Sequence, residues 1–140
     1  MLKMIEKSGL LFFALLTALS FAGVRCVICG MDVKPGSKTQ FTVVESQEER
    51  RFCSLACVDS YLKRKPTREV YVFDYGSGEK IPASDAVFIA RSEKLLKELE
   101  FEMPPTVIGF TNKEDAEKHQ KRLGDGKLIQ GFEALRKEFR

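Results

Sequence analysis

The sequence predicts an α+β chain of two small strand-strand-helix-strand modules in tandem, with mostly antiparallel sheets. Two observations carry that expectation. Short runs of β-branched and aromatic residues are bounded by turn residues, and the first pair of them reads as a hairpin. In each half, a strand ending in phenylalanine, Phe52 or Phe110, leads directly into a cap residue and a helix, with a further strand after a turn. Residue identity between the halves is slight, so the duplication is one of topology. The expected division is residues 1–22, a first module over 23–78 and a second over 79–140.

Taken in order, Pro35-Gly36 makes a turn, and Thr39 to Val44 alternates as a half-buried strand should. Ser46 to Glu48 turns the chain and Glu49 to Phe52 returns it. Ser54 is a good N-cap for a helix from Leu55 to about Lys65, where Leu55, Val58, Tyr61 and Leu62 recur at helical spacing before Pro66 ends it. Glu69 to Tyr75 is the most strand-like run, closed by Gly76-Ser77-Gly78. Lys80-Ile81 and Val87 to Ala90 are short strands, and Ser92 to Leu99, helical in composition but short and highly charged, reads as a short helix or only a surface turn. After Pro104-Pro105 comes a strand over Thr106 to Phe110. Thr111 and Glu114 then fit a capping box for a helix that runs to Leu123 and stops at Gly124. Lys127 to Gln130 is the last strand and Phe132 to Phe139 the last helix.

The residues with the most chemistry are the four cysteines, all within two short windows of the 140-residue chain. Cys26 and Cys29 form C-x2-C; after 23 further residues, Cys53 and Cys57 form C-x3-C. Two close pairs separated by a hairpin are what four thiolates need to converge on one ion. Met31 adds a thioether two residues beyond Cys29. Soft sulfur donors favour Cu(I) or Zn(II) over calcium, magnesium or manganese. Two structural disulfides or a thiol-exchange pair are the competing uses. A Cys26–Cys29 ring is a poor staple, however, and Cys53–Cys57 would span a single helical turn. Cys53 and Cys57 lie at a helix start, where unpaired amides and the helix dipole are expected to lower both thiol pKa values. Cys26, close to an expected processed terminus, is the weaker ligand.

The first 22 residues differ in kind: Lys3 and Lys7 precede an apolar run from Leu10 to Leu19, and Ser20-Phe21-Ala22 supplies small residues where a signal peptidase reads. The expectation is an exported protein, with an uncleaved N-terminal anchor as the alternative, although the run is short for a membrane span. The remaining chain carries interleaved charges summing with the leader to a formal +3. It lacks the clustered basic face and aromatic platform of a nucleic-acid binder. His119, between Lys118 and Gln120, reads as a solvated side chain, and Lys113 to Lys121 as a solvated helix face.

Cys29-Gly30-Met31 followed by Phe52-Cys53-Ser54-Leu55-Ala56-Cys57 resembles the small metal-binding modules called TRASH or YHS-like domains. Val72-Phe73-Asp74-Tyr75 with Gly78, Ile81 and Ala86, then Met103-Pro104-Pro105, Gly109-Phe110, Ala116 and Gly124, resembles the NosL family of nitrous oxide reductase accessory proteins. The resemblance runs from about Cys26 to Phe139. It implies a non-enzymatic copper(I) chaperone outside the cytoplasm, in the periplasm, serving nitrous oxide reductase or a similar copper enzyme and its membrane assembly complex. It also marks Met103 as a further sulfur ligand beside Cys29, Met31, Cys53, Cys57 and Cys26. Val24-Arg25-Cys26 lacks the small residue that precedes a lipobox cysteine, so lipid attachment at Cys26 is not expected. The alternative reading is a structural zinc-binding interaction module, or a metal sensor or scavenger.

Overall fold

The computed structural model describes residues 24–66 and 68–140, so the leader read in residues 1–22 lies outside them. Among the described residues, no helix is long and apolar enough to cross a membrane. The chain is α+β with two antiparallel sheets, as the sequence pattern predicts.

The first hairpin is β1 (Phe41–Glu45) and β2 (Glu48–Phe52), closed by Ser46 and Gln47 at positive φ. Helix α1 (Leu55–Arg64) follows, capped by Ser54, and buries Leu55, Cys57, Val58, Tyr61 and Leu62 along one face. Strand β3 (Val70–Phe73) returns antiparallel to β1, and β4 (Lys80–Pro82) pairs with β3. The order is β2-β1-β3-β4. The Lys80-Ile81 run, which lies beyond the boundary read at Gly78, thus extends the first sheet.

The second half repeats the plan. After a 3-10 turn at Ala83–Asp85, β5 (Val87–Ala90) is central, flanked by β6 (Ile108–Phe110) and β7 (Lys127–Gln130) in the order β6-β5-β7. Helix α3 (Lys113–Leu123) lies between β6 and β7, α2 (Glu93–Glu98) between β5 and β6, and α4 (Phe132–Glu138) ends the fold. The two phenylalanines hold matching places: Phe52 pairs with Phe41, the first residue of β1, and Phe110 with Val87, the first of β5.

Two local expectations are corrected, the α3 cap and His119, and the open reading of segment 92–99 is settled. The cap of α3 is Asn112, whose side-chain oxygen accepts from the Asp115 amide at 2.9 Å; Thr111 is engaged elsewhere, as described below. Segment 92–99 is a capped helix rather than a surface turn, because Ser92 accepts from Leu95 N–H and Leu95 is fully buried. His119 is half-buried, its ring 4.7 Å from that of Tyr75 and 5.6 Å from that of Phe110. Aromatic packing on one side of α3 takes it out of the solvated face, and burial with the Arg122 charge lowers its pKa.

Strand β5 explains how the halves share a core. Its residues are buried on both faces, and period-two alternation sends Val87 and Ile89 towards α3 while Phe88 and Ala90 face the other way. Phe88 and Ala90 join one apolar cluster with Phe41, Val72, Ile129, Phe132, Leu135 and the three buried cysteines. Phe41 of β1 meets Phe132 of α4 with ring centroids 5.8 Å apart. The sheets also touch directly through a parallel bridge between Asp74 and Gly109, with Tyr75 N–H donating to Gly109 C=O at 2.8 Å. A Cβ at Gly109 would lie 3.2 Å from Val72 Cγ2 and 3.3 Å from Phe88 Cε1, so a side chain here would have to push these two neighbours back by a few tenths of an ångström.

Candidate metal centre

The residues around C-x2-C fold into a tight turn. Cys26 N–H donates to Met31 C=O at 2.8 Å, Gly30 N–H to Cys26 C=O at 3.0 Å, and Val33 N–H to Val24 C=O at 2.8 Å, around an antiparallel bridge between Arg25 and Asp32. Gly30 takes φ 76, a left-handed position that a side chain would strain. The turn is fastened to the first sheet by Val27 N–H, which donates to Arg51 C=O at 3.1 Å. Arg51 belongs to β2, the edge strand that delivers Cys53.

Cys53 follows β2 directly, and Cys57 lies one turn into α1, where its amide donates to the Ser54 hydroxyl at 3.5 Å. Strand end, cap and first helical turn thereby hold Cys53 and Cys57 beneath the C-x2-C turn. The Sγ atoms of Cys29 and Cys53 are 3.4 Å apart, those of Cys53 and Cys57 3.7 Å, and all four cysteine sulfurs lie within 4.8 Å of one another. None is in a disulfide. A tetrahedral ion with metal–sulfur bonds of about 2.3 Å sets its sulfurs about 3.8 Å apart, so this donor set fits one thiophilic ion with little rearrangement.

The electrostatics invert the sequence expectation. Cys53 and Cys57 have raised pKa values, Cys57 to about 11: burial pushes both up, the neighbouring cysteines push Cys53 further, and at Cys57 burial outweighs the hydrogen bonds of Ser54 and Cys53. Cys26 has the lowered pKa, about 7: its burial pushes upward, but the amides of Cys29, Cys53 and Ile28 converge on its sulfur and prevail. It is also well packed, at 3% exposure, rather than frayed. Cys53 and Cys57 are likewise buried, and Cys29 is the exposed member.

The two methionines occupy different settings. Met31 is 48% exposed on the rim of the turn, and Met103 is half-buried against the main core just ahead of Pro104-Pro105. The four sulfurs that lie within 4.8 Å of one another are those of Cys26, Cys29, Cys53 and Cys57. Relative to the helix caps, Thr111 and Asp115 of the second half stand where Cys53 and Cys57 stand in the first. Thr111 binds the Asp74 carboxylate there, its N–H donating to Oδ1 at 2.7 Å and its hydroxyl at 3.1 Å. Asp74, buried and accepting four hydrogen bonds, is a structural residue to which the sequence reading gave no role beyond its place in the Val72-Phe73-Asp74-Tyr75 run.

Comparison with known proteins extends this picture. The crystal structure of the copper chaperone NosL from Shewanella denitrificans superimposes with a TM-score of 0.59 at 25% identity, over 76% of this chain and 86% of that one. Curated protein sequences give no match to this chain. The NosL family model matches residues 21–139, a span that takes in the cysteine turn, both sheets and the closing helix, and on that match the chain belongs to the NosL family.

Proposed function

We propose that the protein is a non-enzymatic metallochaperone that carries Cu(I) in its cysteine cluster and delivers it, outside the cytoplasm, to nitrous oxide reductase or a similar copper enzyme and its membrane assembly complex. The observation that carries this reading is four free sulfurs within 4.8 Å, three of them buried and Cys29 open to solvent. Thiolates select a soft ion, and Cu(I) is satisfied by two or three of them. A four-sulfur set thus holds the ion tightly and still lets one ligand leave as an acceptor's donor enters. Family membership and the copper chaperone named above support copper as the cargo. Lys3, Lys7, the Leu10–Leu19 run and Ser20-Phe21-Ala22 support export. The ion passes on as Cu(I), without redox chemistry, and the thiolates it leaves become free to take protons.

Anaerobic titration tests this reading. The expected result is one Cu(I) per chain, held more weakly in Cys29→Ser, which keeps three thiolates, and lost when all four cysteines are replaced by serine. Tight stoichiometric binding retained by the four-serine chain overturns the assignment.

A second reading, a structural Zn(Cys)4 site, is favoured by one observation: the 3.4 and 3.7 Å sulfur separations suit a closed tetrahedral shell. A thermal melt with and without chelator separates the two. Structural zinc makes folding depend on the metal, whereas a cargo site set in a core that the apolar side chains of both halves fill leaves the stripped chain folded.

A further inference from the structure

Large apolar side chains on the surface are concentrated around the metal centre. Among the described residues, six large hydrophobic side chains are exposed, and four of them, Val24, Val27, Ile28 and Met31, lie on the turn that presents Cys29. This turn is electrically quiet. Its charged residues from 24 to 33 are Arg25 and Asp32, which pair with each other at 3.7 Å. Elsewhere the surface is dense with ion pairs, such as those on β2 and around Glu138.

We infer that this apolar collar is the docking surface for the protein that accepts the ion. The inference rests on the copper-carrier reading and adds to it the place and chemistry of the contact. Cys26, Cys53 and Cys57 are buried, so an acceptor must approach through Cys29 and in doing so covers the collar. The partner it fits presents a soft donor at the centre of an uncharged apolar patch. Burying apolar surface around the exchange point contributes affinity without charge selection. It also excludes water while the ion changes ligands, and the oxidation state of the copper stays the same throughout.

The test uses the Cu(I)-loaded chain, the doubly substituted V27S/I28S chain, and Leu96→Asp as a control at an exposed apolar residue on α2. Each is loaded and its stoichiometry measured. The rate of Cu(I) loss is then followed to two acceptors, the small chelator bathocuproine disulfonate and apo nitrous oxide reductase. The expected result is that V27S/I28S donates to the reductase about tenfold more slowly, as loss of an interface anchor pair does, with its rate to the chelator close to that of the unsubstituted chain. Leu96→Asp should match the unsubstituted chain with both acceptors.

Equal transfer to the reductase by V27S/I28S overturns the proposal. So does an unsubstituted chain that loads Cu(I) and gives none to the reductase, a result that leaves copper binding itself intact. An equal slowing towards both acceptors also overturns it, because the substitutions then act on metal affinity. A chain that takes up no Cu(I) ends both the carrier reading and the docking surface built on it.

Discussion

The sulfur of Cys29 lies 3.4 Å from that of Cys53, although 24 residues separate them in the chain. The contact depends on backbone placement: the Val27 amide is tied to Arg51 of the strand that leads into Cys53. Only Cys29 of this pair is exposed. The reduced, metal-free protein should therefore take up one equivalent of iodoacetamide rapidly at Cys29, with the three buried thiols slower by about tenfold or more. Metal loading should protect Cys29 as well. Mass spectrometry of a time course reads both effects, and four thiols alkylated at one rate would show that the turn is not seated on the sheet.

Asp74 joins the two halves through hydrogen bonds from Thr111 on one oxygen and Ser77 on the other. Donors face both oxygens, so Asp74→Asn must turn its amide group towards one donor pair. The side chain is buried, and the loss should be about 3 kcal/mol of stability by denaturant titration. Metal stoichiometry should be unchanged, since the residue lies outside the sulfur cluster.

Glu45 sets an acid limit on the first sheet. The Tyr61 hydroxyl, the Arg68 guanidinium at 2.7 Å and the Lys65 ammonium at 3.2 Å hold its pKa down to about 2. A carboxylate lowered by folding stabilises the folded state fully above its unfolded pKa of about 4.3 and loses that contribution as pH falls through the folded value. Glu45→Gln should therefore lower the melting temperature at pH 7, and the difference from the unsubstituted chain should shrink between about pH 4 and pH 2. A difference independent of pH over that window would refute the assignment.

Phe132 packs on Phe41 from the other half of the molecule. Phe132→Ala opens the shared core and should cost about 3–5 kcal/mol. Unfolding should remain a single transition by both near- and far-ultraviolet circular dichroism, because one apolar cluster spans the two halves. Two separated transitions would mean that the halves fold independently.

Much of this was legible in the chain. The strands, the α1 cap at Ser54 and the stop at Gly124 follow from side-chain periodicity and turn chemistry, which are local properties. The cysteine spacing likewise announced a sulfur site, since two close pairs around a hairpin are a sequence-level requirement. The Thr111 cap was misread for a non-local reason: Asp74, 37 residues away, claims Thr111 and leaves capping to Asn112. The pKa order of the cysteines was misread in the same way. A helix start is visible in sequence, but the burial that raises Cys53 and Cys57 is not, and of the three amides that converge on Cys26 that of Cys53 comes from a separate segment.

By itself, then, the sequence determined the main element types, the repeated plan and which atoms could hold a metal, because propensity, periodicity and donor softness belong to the residues. Only the tertiary structure decided which sulfur faces solvent, which is charged most readily and how the halves share a core. Those depend on what each group packs against, and for Cys29, Cys26 and Phe88 the neighbours arrive from distant parts of the chain.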